Sequence, residues 1–507
     1  MNFASFKKNI KHDFSASIVV FLVALPLCLG IALASGAPLY SGLISGIIGG
    51  IVVGSFSNSP LGVSGPAAGL AVIVLNAITD LGSFNIFLVA VVIGGAIQLI
   101  MGFFKAGIIA YYFPSSVIKG MLAGIGILIF YKQLDDAVGI KALSLDAISE
   151  GINVNVTLIT IISLAILILW QSSFVKKIPF VGQLPGPLLA VIISILLANF
   201  AVDIAPDYLV KIPVASSTEE FFASFTFPDF AEGLGNKDVY VTGIVIAVVA
   251  SLETLLCVEA TDKQDPLKRT TSTNTELIAQ GIGNMCAGLI GGLPVTQVIV
   301  RSSANMQAGG KTKTSAILHG FLLLISIICI PVLLNKIPLA TLAAILLIVG
   351  YKLASPATFK KMYSEGMSQF IPFIVTIVGI VGTDLLKGIG LGMVVAIFII
   401  LRNNYKIPYF LEEENEGEKG SYTIELSEDV TFLNKASVLK VLDKIPEESN
   451  VTISATKTQF IHRDIIEIIE DFSIKAENKK ITLTLIDLDL DLHKQDQTMS
   501  HIRVIKS

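Results

Sequence analysis

The chain has 507 residues, of which 53% are hydrophobic and 15% charged, and its formal net charge is −4. A soluble protein of this size carries roughly a quarter of its residues charged, so a water-soluble globular enzyme is excluded. The small net charge gives no sign of a nucleic-acid partner.

Lys7, Lys8 and Lys11 precede a stretch from Phe14 to Thr79 that contains no Asp, Glu, Lys, Arg or His. At about 20 apolar residues per crossing, that stretch holds two or three membrane segments. It is far longer than a signal-peptide h-region and offers no cleavage site in a polar context, so no cleavable leader is expected. Runs bounded by Gly, Pro and charge predict about fourteen segments. They are 15–35, 39–56, 65–79, 84–104, 113–132, 153–171, 185–201, 239–259, 274–291, 297–308, 314–334, 338–351, 368–385 and 388–403. The third and the tenth are too short, and too rich in Gly and small polar residues, to cross alone.

Alternating this count sorts the charged loops. One side receives Lys7, Lys8, Lys11, Lys105, Lys176, Lys177, Lys263, Lys268, Arg269, Lys311, Lys313, Lys352, Lys360, Lys361, Arg402 and Lys406. The other receives Asp135, Asp136, Asp146, Glu150, Asp203, Asp207, Glu219, Glu220, Asp229 and Glu232. Basic loops face the cytoplasm. The expectation is therefore a multi-pass α-helical protein of a bacterial-type inner membrane, with both termini cytoplasmic.

After Tyr405 the composition changes. Glu412, Glu413, Glu414, Glu416 and Glu418 read as an acidic, flexible linker. Strands are expected at 421–426, 429–433, 450–456 and, last, 480–487, with helices at 435–444 and 461–473. That alternation predicts a small α/β domain with a part-parallel sheet. The division is then 1–410 membrane transport domain, 411–420 linker and 421–507 α/β domain.

The informative comparison is between SPLGVSGPAAG (59–69) and LPVTQVIVRSS (293–303). In each, a proline follows a Gly-rich membrane segment and a short helix can begin just beyond it. One lies in the third segment and the other in the third of the second seven. Interrupted segments at matching places in two halves mark a transporter site. A half-helix that starts at mid-membrane leaves its first N–H groups unpaired, and those donors with the helix dipole favour an anion. Ser64, Gly65, Ala67 and Ala68 on one side, with Thr296, Gln297 and Val298 on the other, predict a small anion cradle. Ordinary Gly/Pro kinks are the alternative for either segment taken alone.

Arg301 follows at once. An arginine within a membrane segment costs about 2.5–3.5 kcal/mol on insertion scales, which calls for a reason. Either it is a fixed positive charge near the anion, or it is a structural partner for Glu253 or snorkels to the headgroups. Glu253 lies roughly 20 Å along its helix from the outer boundary at 1.5 Å per residue. At that depth it must be neutral, paired or wetted by a cavity. Cys28, Cys257, Cys286 and Cys329 have no CxxC spacing and read as packing residues. The scattered His12, His319, His462, His493 and His501 form no legible metal site.

SGPAAGL (64–70), SLETLLC (251–257), ELIAQGIGNM (276–285) and GGLPVTQVIVRSSANMQAGGKT (291–312) resemble the signature stretches of the SulP family of anion transporters. The resemblance covers nearly the whole membrane part. It implies a seven-plus-seven inverted repeat with core and gate domains, a C-terminal STAS domain and a homodimer. It puts the anion site on the backbone of Ala67, Ala68, Val298, Ile299 and Val300, next to Arg301, and the coupling position on Glu253. In the family's sodium-coupled bicarbonate carriers that position is Asp and ligates sodium. Here it is Glu, and Cys257 stands where a hydroxyl ligand is expected, so a coupled proton is as well supported as sodium. The STAS regulators' phosphorylatable serine is missing too. Phe460, Ile461, His462, Arg463 and Asp464 occupy that turn, and His462 reads as a surface residue.

The expected function is secondary active transport of a small inorganic anion, sulfate or bicarbonate in class. No cofactor beyond the coupled ion, no resident metal and no nucleic acid are expected. The bilayer is a partner, and the partner of the C-terminal domain is open. Two rivals stand. A nucleobase carrier of the same architecture would offer carboxylates and amides to a heterocycle and would lack the STAS tail. A membrane-anchored anion sensor with STAS output would bind without flux.

Overall fold

The computed structural model describes residues 3–140, 152–172, 175, 184–404, 409–414, 420–488 and 502–505. Of the residues named above, Asp146, Glu150, Lys176, Lys177, Tyr405, Lys406, Glu416, Glu418, His493 and His501 lie outside the described residues. Two compact units result, Met1–Met393 and Val394–Ser507.

The first seven segments begin with α1 (Phe3–Ala34) and α2 (Leu39–Ile48), the latter continued by a π-helical turn over Gly49–Val53. The third is a strand, β1 (Ser64–Pro66), followed by a 3₁₀ turn and α3 (Ala71–Leu81). Then come α4 (Phe84–Phe103), α5 (Ser115–Val138), α6 (Val154–Gln171) and α7 (Gly186–Phe200). The second seven repeat this order. Two long helices, α8 (Lys237–Gln264) and α9 (Thr273–Leu289), precede a strand, β2 (Val295–Gln297), and the short α10 (Ile299–Gln307). Next are α11 (Thr314–Cys329), α12 (Leu339–Leu353), α13 (Met367–Gly382) and α14 (Leu385–Asn404). Each expected segment is thus met by a helix, or by a strand and half-helix at the third and tenth. Among the described residues, 8 helices are long and apolar enough to cross a membrane. The fold is that of a multi-pass helical membrane protein.

Small residues decide which helices come closest. A Cβ on Gly95 of α4 would lie 2.8 Å from the Gly281 carbonyl of α9, and one on Gly281 equally close to that of Gly95. Gly126 of α5 and Gly350 of α12 form a second reciprocal pair at 2.7 Å. Lipid is as apolar as a leucine side chain, so helix association in a membrane relies on this close backbone packing.

The C-terminal unit is a five-stranded sheet. β3 (Tyr409–Glu414) pairs antiparallel with β4 (Ser421–Leu426). Parallel pairs follow, from β4 to β5 (Asn450–Ser454), β6 (Thr482–Ile486) and β7 (Ile502–Ile505). Helix α15 (Lys435–Asp443) connects β4 to β5, and α16 (Arg463–Asn478) connects β5 to β6. In α16, Ile465, Ile468, Ile469, Phe472 and Ala476 recur at helical spacing and bury one stripe on the sheet.

Two expectations about this unit are corrected. Glu412, Glu413 and Glu414 are not linker but the end of β3, with Glu412 opposite Thr423. Glu412 is exposed on this edge strand, so its charge meets water while its backbone pairs, and a charged edge resists pairing with a second chain. The sheet also does not end at 480–487, because β7 adds a further parallel strand. His462 caps α16, its Nδ1 accepting from the Asp464 N–H at 3.3 Å.

Candidate functional site

β1 and β2 cross antiparallel, pairing Ser64 with Gln297, Gly65 with Thr296 and Pro66 with Val295. Two strands of three residues each cannot hold themselves together, so side chains from neighbouring helices pin both. Asn284 of α9 grips Val295 as a strand partner would. Its Oδ1 accepts from the Val295 N–H at 2.5 Å and its Nδ2 donates to the Val295 carbonyl at 3.1 Å. The same Nδ2 reaches Gln98 Oε1 at 2.6 Å. One turn earlier, Gln280 donates to Ser64 Oγ at 2.8 Å and to Glu276 Oε1 at 3.0 Å, while Ser57 Oγ donates to Glu276 Oε2 at 2.5 Å. From α10, Ser302 Oγ accepts from the Val63 N–H and Asn305 Nδ2 donates to the Leu61 carbonyl, each at 3.0 Å. α2 presses in from behind, where a Cβ on Gly49 would lie 2.5 Å from the Ser64 carbonyl.

The half-helices leave this crossing uncapped. Ala67 (φ −103°, ψ 130°) and Val298 (φ −120°, ψ 126°) are the extended residues before each, and neither has a side-chain cap. In α10 the first intrahelical bond runs from the Ser302 N–H to the Val298 carbonyl. The N–H groups of Ile299, Val300 and Arg301 therefore have no acceptor in their own helix. Beyond β1 the first such bond runs from the Leu70 N–H to Ala67, which leaves those of Ala68 and Gly69.

One face of α8 meets both N-termini. The Gly69 N–H bears on the Glu253 carboxylate, and the Ile299 N–H bears on the Cys257 thiol one turn further along. Between them Thr254 Oγ1 accepts from the Gln297 N–H at 3.3 Å. Glu253 is 9% exposed, and its Oε2 has no hydrogen-bond partner among the described residues. A Cβ on Gly69 would lie 2.7 Å from that oxygen. Gly69→Ala is therefore expected to cost about 1–3 kcal/mol by overpacking and to lower anion uptake at least tenfold by displacing the carboxylate. Thermal melting beside uptake in proteoliposomes checks this, and a folded variant with wild-type uptake would contradict it.

The structure treats the predicted site residues unequally. Ala68, Val298 and Ile299 are half-buried at the two N-termini, and Val300 is exposed. Ala67 and Gly65 are buried, the latter against the Arg301 guanidinium, which a Cβ there would strike. Ser64 Oγ accepts from Gln280, and Gln297 Nε2 donates to Thr261 Oγ1 at 3.1 Å while its Oε1 is buried without a partner among the described residues. Thr296 Oγ1 is buried without a partner. Arg301 does not pair with Glu253. It is 1% exposed, its Nη2 donates to Cys28 Sγ at 3.3 Å, and its Nη1 is unpartnered. Cys28, read from sequence as packing, is thus a ligand of the arginine. Among the described residues no His/Cys/Asp/Glu group is arranged to hold a metal.

The chain is similar to known proteins in sequence and in fold. A profile of the sulfate permease family matches residues 10–377. The putative sulfate transporter YvdB of Bacillus subtilis (strain 168) is 29% identical over 407 residues, which cover 78% of this chain and 74% of that protein. The bicarbonate transporter BicA of Picosynechococcus sp. is 26% identical over 407 residues, covering 77% and 70%. The murine Solute Carrier 26 family member A9 anion transporter, solved in the inward-facing state, matches with a TM-score of 0.78 over 99% of this chain and 90% of that one. At 15% identity that likeness is one of fold. A family match over most of the membrane unit, carried through the crossed strands and both half-helices, makes this chain a member of the sulfate permease family.

Proposed function

We propose that the chain moves a small inorganic anion, sulfate or bicarbonate in class, across the inner membrane by alternating access, coupled to a proton or a sodium ion. The observation that carries this is the convergence of two uncapped helix N-termini on the face of α8 that bears Glu253. The N–H groups of Ala68 and Val300, which have no acceptor in their own helices, can bind an anion by backbone alone, and Arg301 adds a full positive charge beside them. The names of two relatives, a sulfate and a bicarbonate transporter, bracket the substrate class. Cys257 favours the proton over sodium, since a hard cation takes oxygen ligands and Thr254 Oγ1 is engaged by Gln297. Flux of labelled sulfate, bicarbonate and chloride in proteoliposomes, under imposed pH or sodium gradients, tests the proposal. Binding without flux under any gradient would reduce the protein to a sensor, and uracil uptake would point to a nucleobase carrier.

The protein is read as a homodimer in the bilayer with both termini cytoplasmic. Reporter fusions at Met1 and Ser507 are expected to label only from the cytoplasm, and periplasmic labelling would overturn the orientation. The C-terminal sheet is read as a STAS domain that serves assembly or rate. Truncation after Lys406 is therefore expected to leave anion affinity in purified protein within about twofold of the full chain. Loss of binding in a folded truncation would move part of the site into that domain.

A further inference from the structure

Arg301 and His319 both lie along the glycine face formed by α2 and the π-helical turn that continues it. Gly46 lies on α2 and Gly50 in the π-helical turn that continues it, about one turn further along. A Cβ at Gly46 would come 3.9 Å from Arg301 Nη1, and one at Gly50 would come 2.9 Å from His319 Cε1. The guanidinium and the imidazole edge thus occupy consecutive turns of one bare helix surface. Both side chains are out of solvent, Arg301 at 1% exposure and His319 at 0%.

The hydrogen bonds of His319 assign its tautomer. Nδ1 lies 2.5 Å from the Ala316 carbonyl oxygen, and a carbonyl only accepts, so Nδ1 carries the proton. Nε2 then presents a lone pair. Among the described residues that atom has no partner, and neither does Arg301 Nη1. A donor lacking an acceptor and an acceptor lacking a donor, one helical turn apart, are complementary.

We infer that His319 is a positioning residue for Arg301, its neutral imidazole accepting from the guanidinium through one bridging water. With Cys28 Sγ, it holds the side chain using neutral acceptors alone. A carboxylate would hold an arginine more firmly, but it would also cancel the charge that the anion needs. Neutral acceptors fix the guanidinium and leave its charge available. The inference rests on the reading of Arg301 as the charge that draws the anion.

Three substitutions and one spectrum test it. His319→Gln returns an amide oxygen near the Nε2 position, His319→Phe fills the space without an acceptor, and His319→Glu supplies a negative charge. Sulfate and bicarbonate affinity in purified protein is expected to stay within about threefold for Gln, to weaken at least tenfold for Phe and to weaken further for Glu. A purely structural role predicts instead that affinity follows melting temperature in all three. The 15N spectrum of histidine-labelled wild-type protein is expected to show Nε2 unprotonated and Nδ1 protonated, with the Nε2 signal moving in Arg301→Ala. Tight binding by the Phe or Glu variant, or a protonated Nε2, would overturn the inference. The spectrum decides if the variants do not fold. Unchanged affinity in Arg301→Ala would overturn the reading of Arg301 itself, a result separate from either of these.

Discussion

Arg301→Ala is expected to weaken sulfate or bicarbonate binding by more than tenfold, and Arg301→Lys to restore only part of it. The guanidinium is fully buried, donates to a thiol and has no carboxylate within ion-pair distance among the described residues. An uncompensated charge in a protein interior costs several kcal/mol, a cost reasonable only where an anion is to be held. At an effective dielectric of about 20 and a separation of roughly 6–8 Å, one unit pair contributes about 2–3 kcal/mol. That corresponds to a factor of about 30–100 in affinity. Lysine keeps the charge but loses the planar fork that reaches toward Cys28 and lies over Gly65. Calorimetric titration of purified variants, alongside melting curves, measures the effect. Unchanged affinity in a folded alanine variant would leave Arg301 as a packing residue.

Most of the fold was legible because membrane segments announce themselves by length and hydropathy, and the charged loops alternate in step with their count. The two breaks were legible from prolines that follow Gly-rich membrane segments in the third and the tenth segments, corresponding places in the two halves. What holds the breaks in place was not read, although a signal existed. Glu276, Gln280 and Asn284 recur every fourth residue in an apolar helix, which lines polar groups along one face. A polar stripe inside a membrane must have partners, and here those partners are the two short strands, Ser57 and Gln98. The liganding of Arg301 by Cys28 was invisible, since nothing in the spacing of α1 distinguishes a thiol facing a cation from one facing leucine. The assignment of Ser64 and Gln297 to the anion rested on their place in the chain. In the structure Gln280 donates to Ser64 Oγ and Gln297 Nε2 donates to Thr261. In the C-terminal unit, the acidic run hid a strand because charge was read as solvation of the whole segment rather than of one sheet edge.

Glu253→Gln is expected to retain anion binding and exchange while abolishing accumulation driven by a pH gradient. The carboxylate is 9% exposed, with one oxygen lacking a hydrogen-bond donor, and it faces the Gly69 N–H at the start of a half-helix. It therefore shares with the anion the same few donors and the same positive field. When both are charged, the anion meets a like charge across the cradle. When the carboxyl carries a proton, that repulsion is gone and the donors are free for the anion. Proton and anion then bind with positive coupling, and by linkage each raises the affinity for the other by the same factor. A carrier whose occupied form needs both moves both. Glutamine fixes the neutral form and keeps nearly the same shape, so the anion site remains but the proton no longer counts. Sulfate or bicarbonate counterflow in Gln-variant proteoliposomes should match wild type, whereas net uptake under an inward proton gradient should fall to the level without a gradient. Concentrative uptake by the variant under a pH gradient alone would remove Glu253 from the coupling step. Wild-type uptake driven only by sodium would exclude the proton and leave the carboxylate as the sodium ligand, in which case glutamine should abolish sodium dependence at the same position.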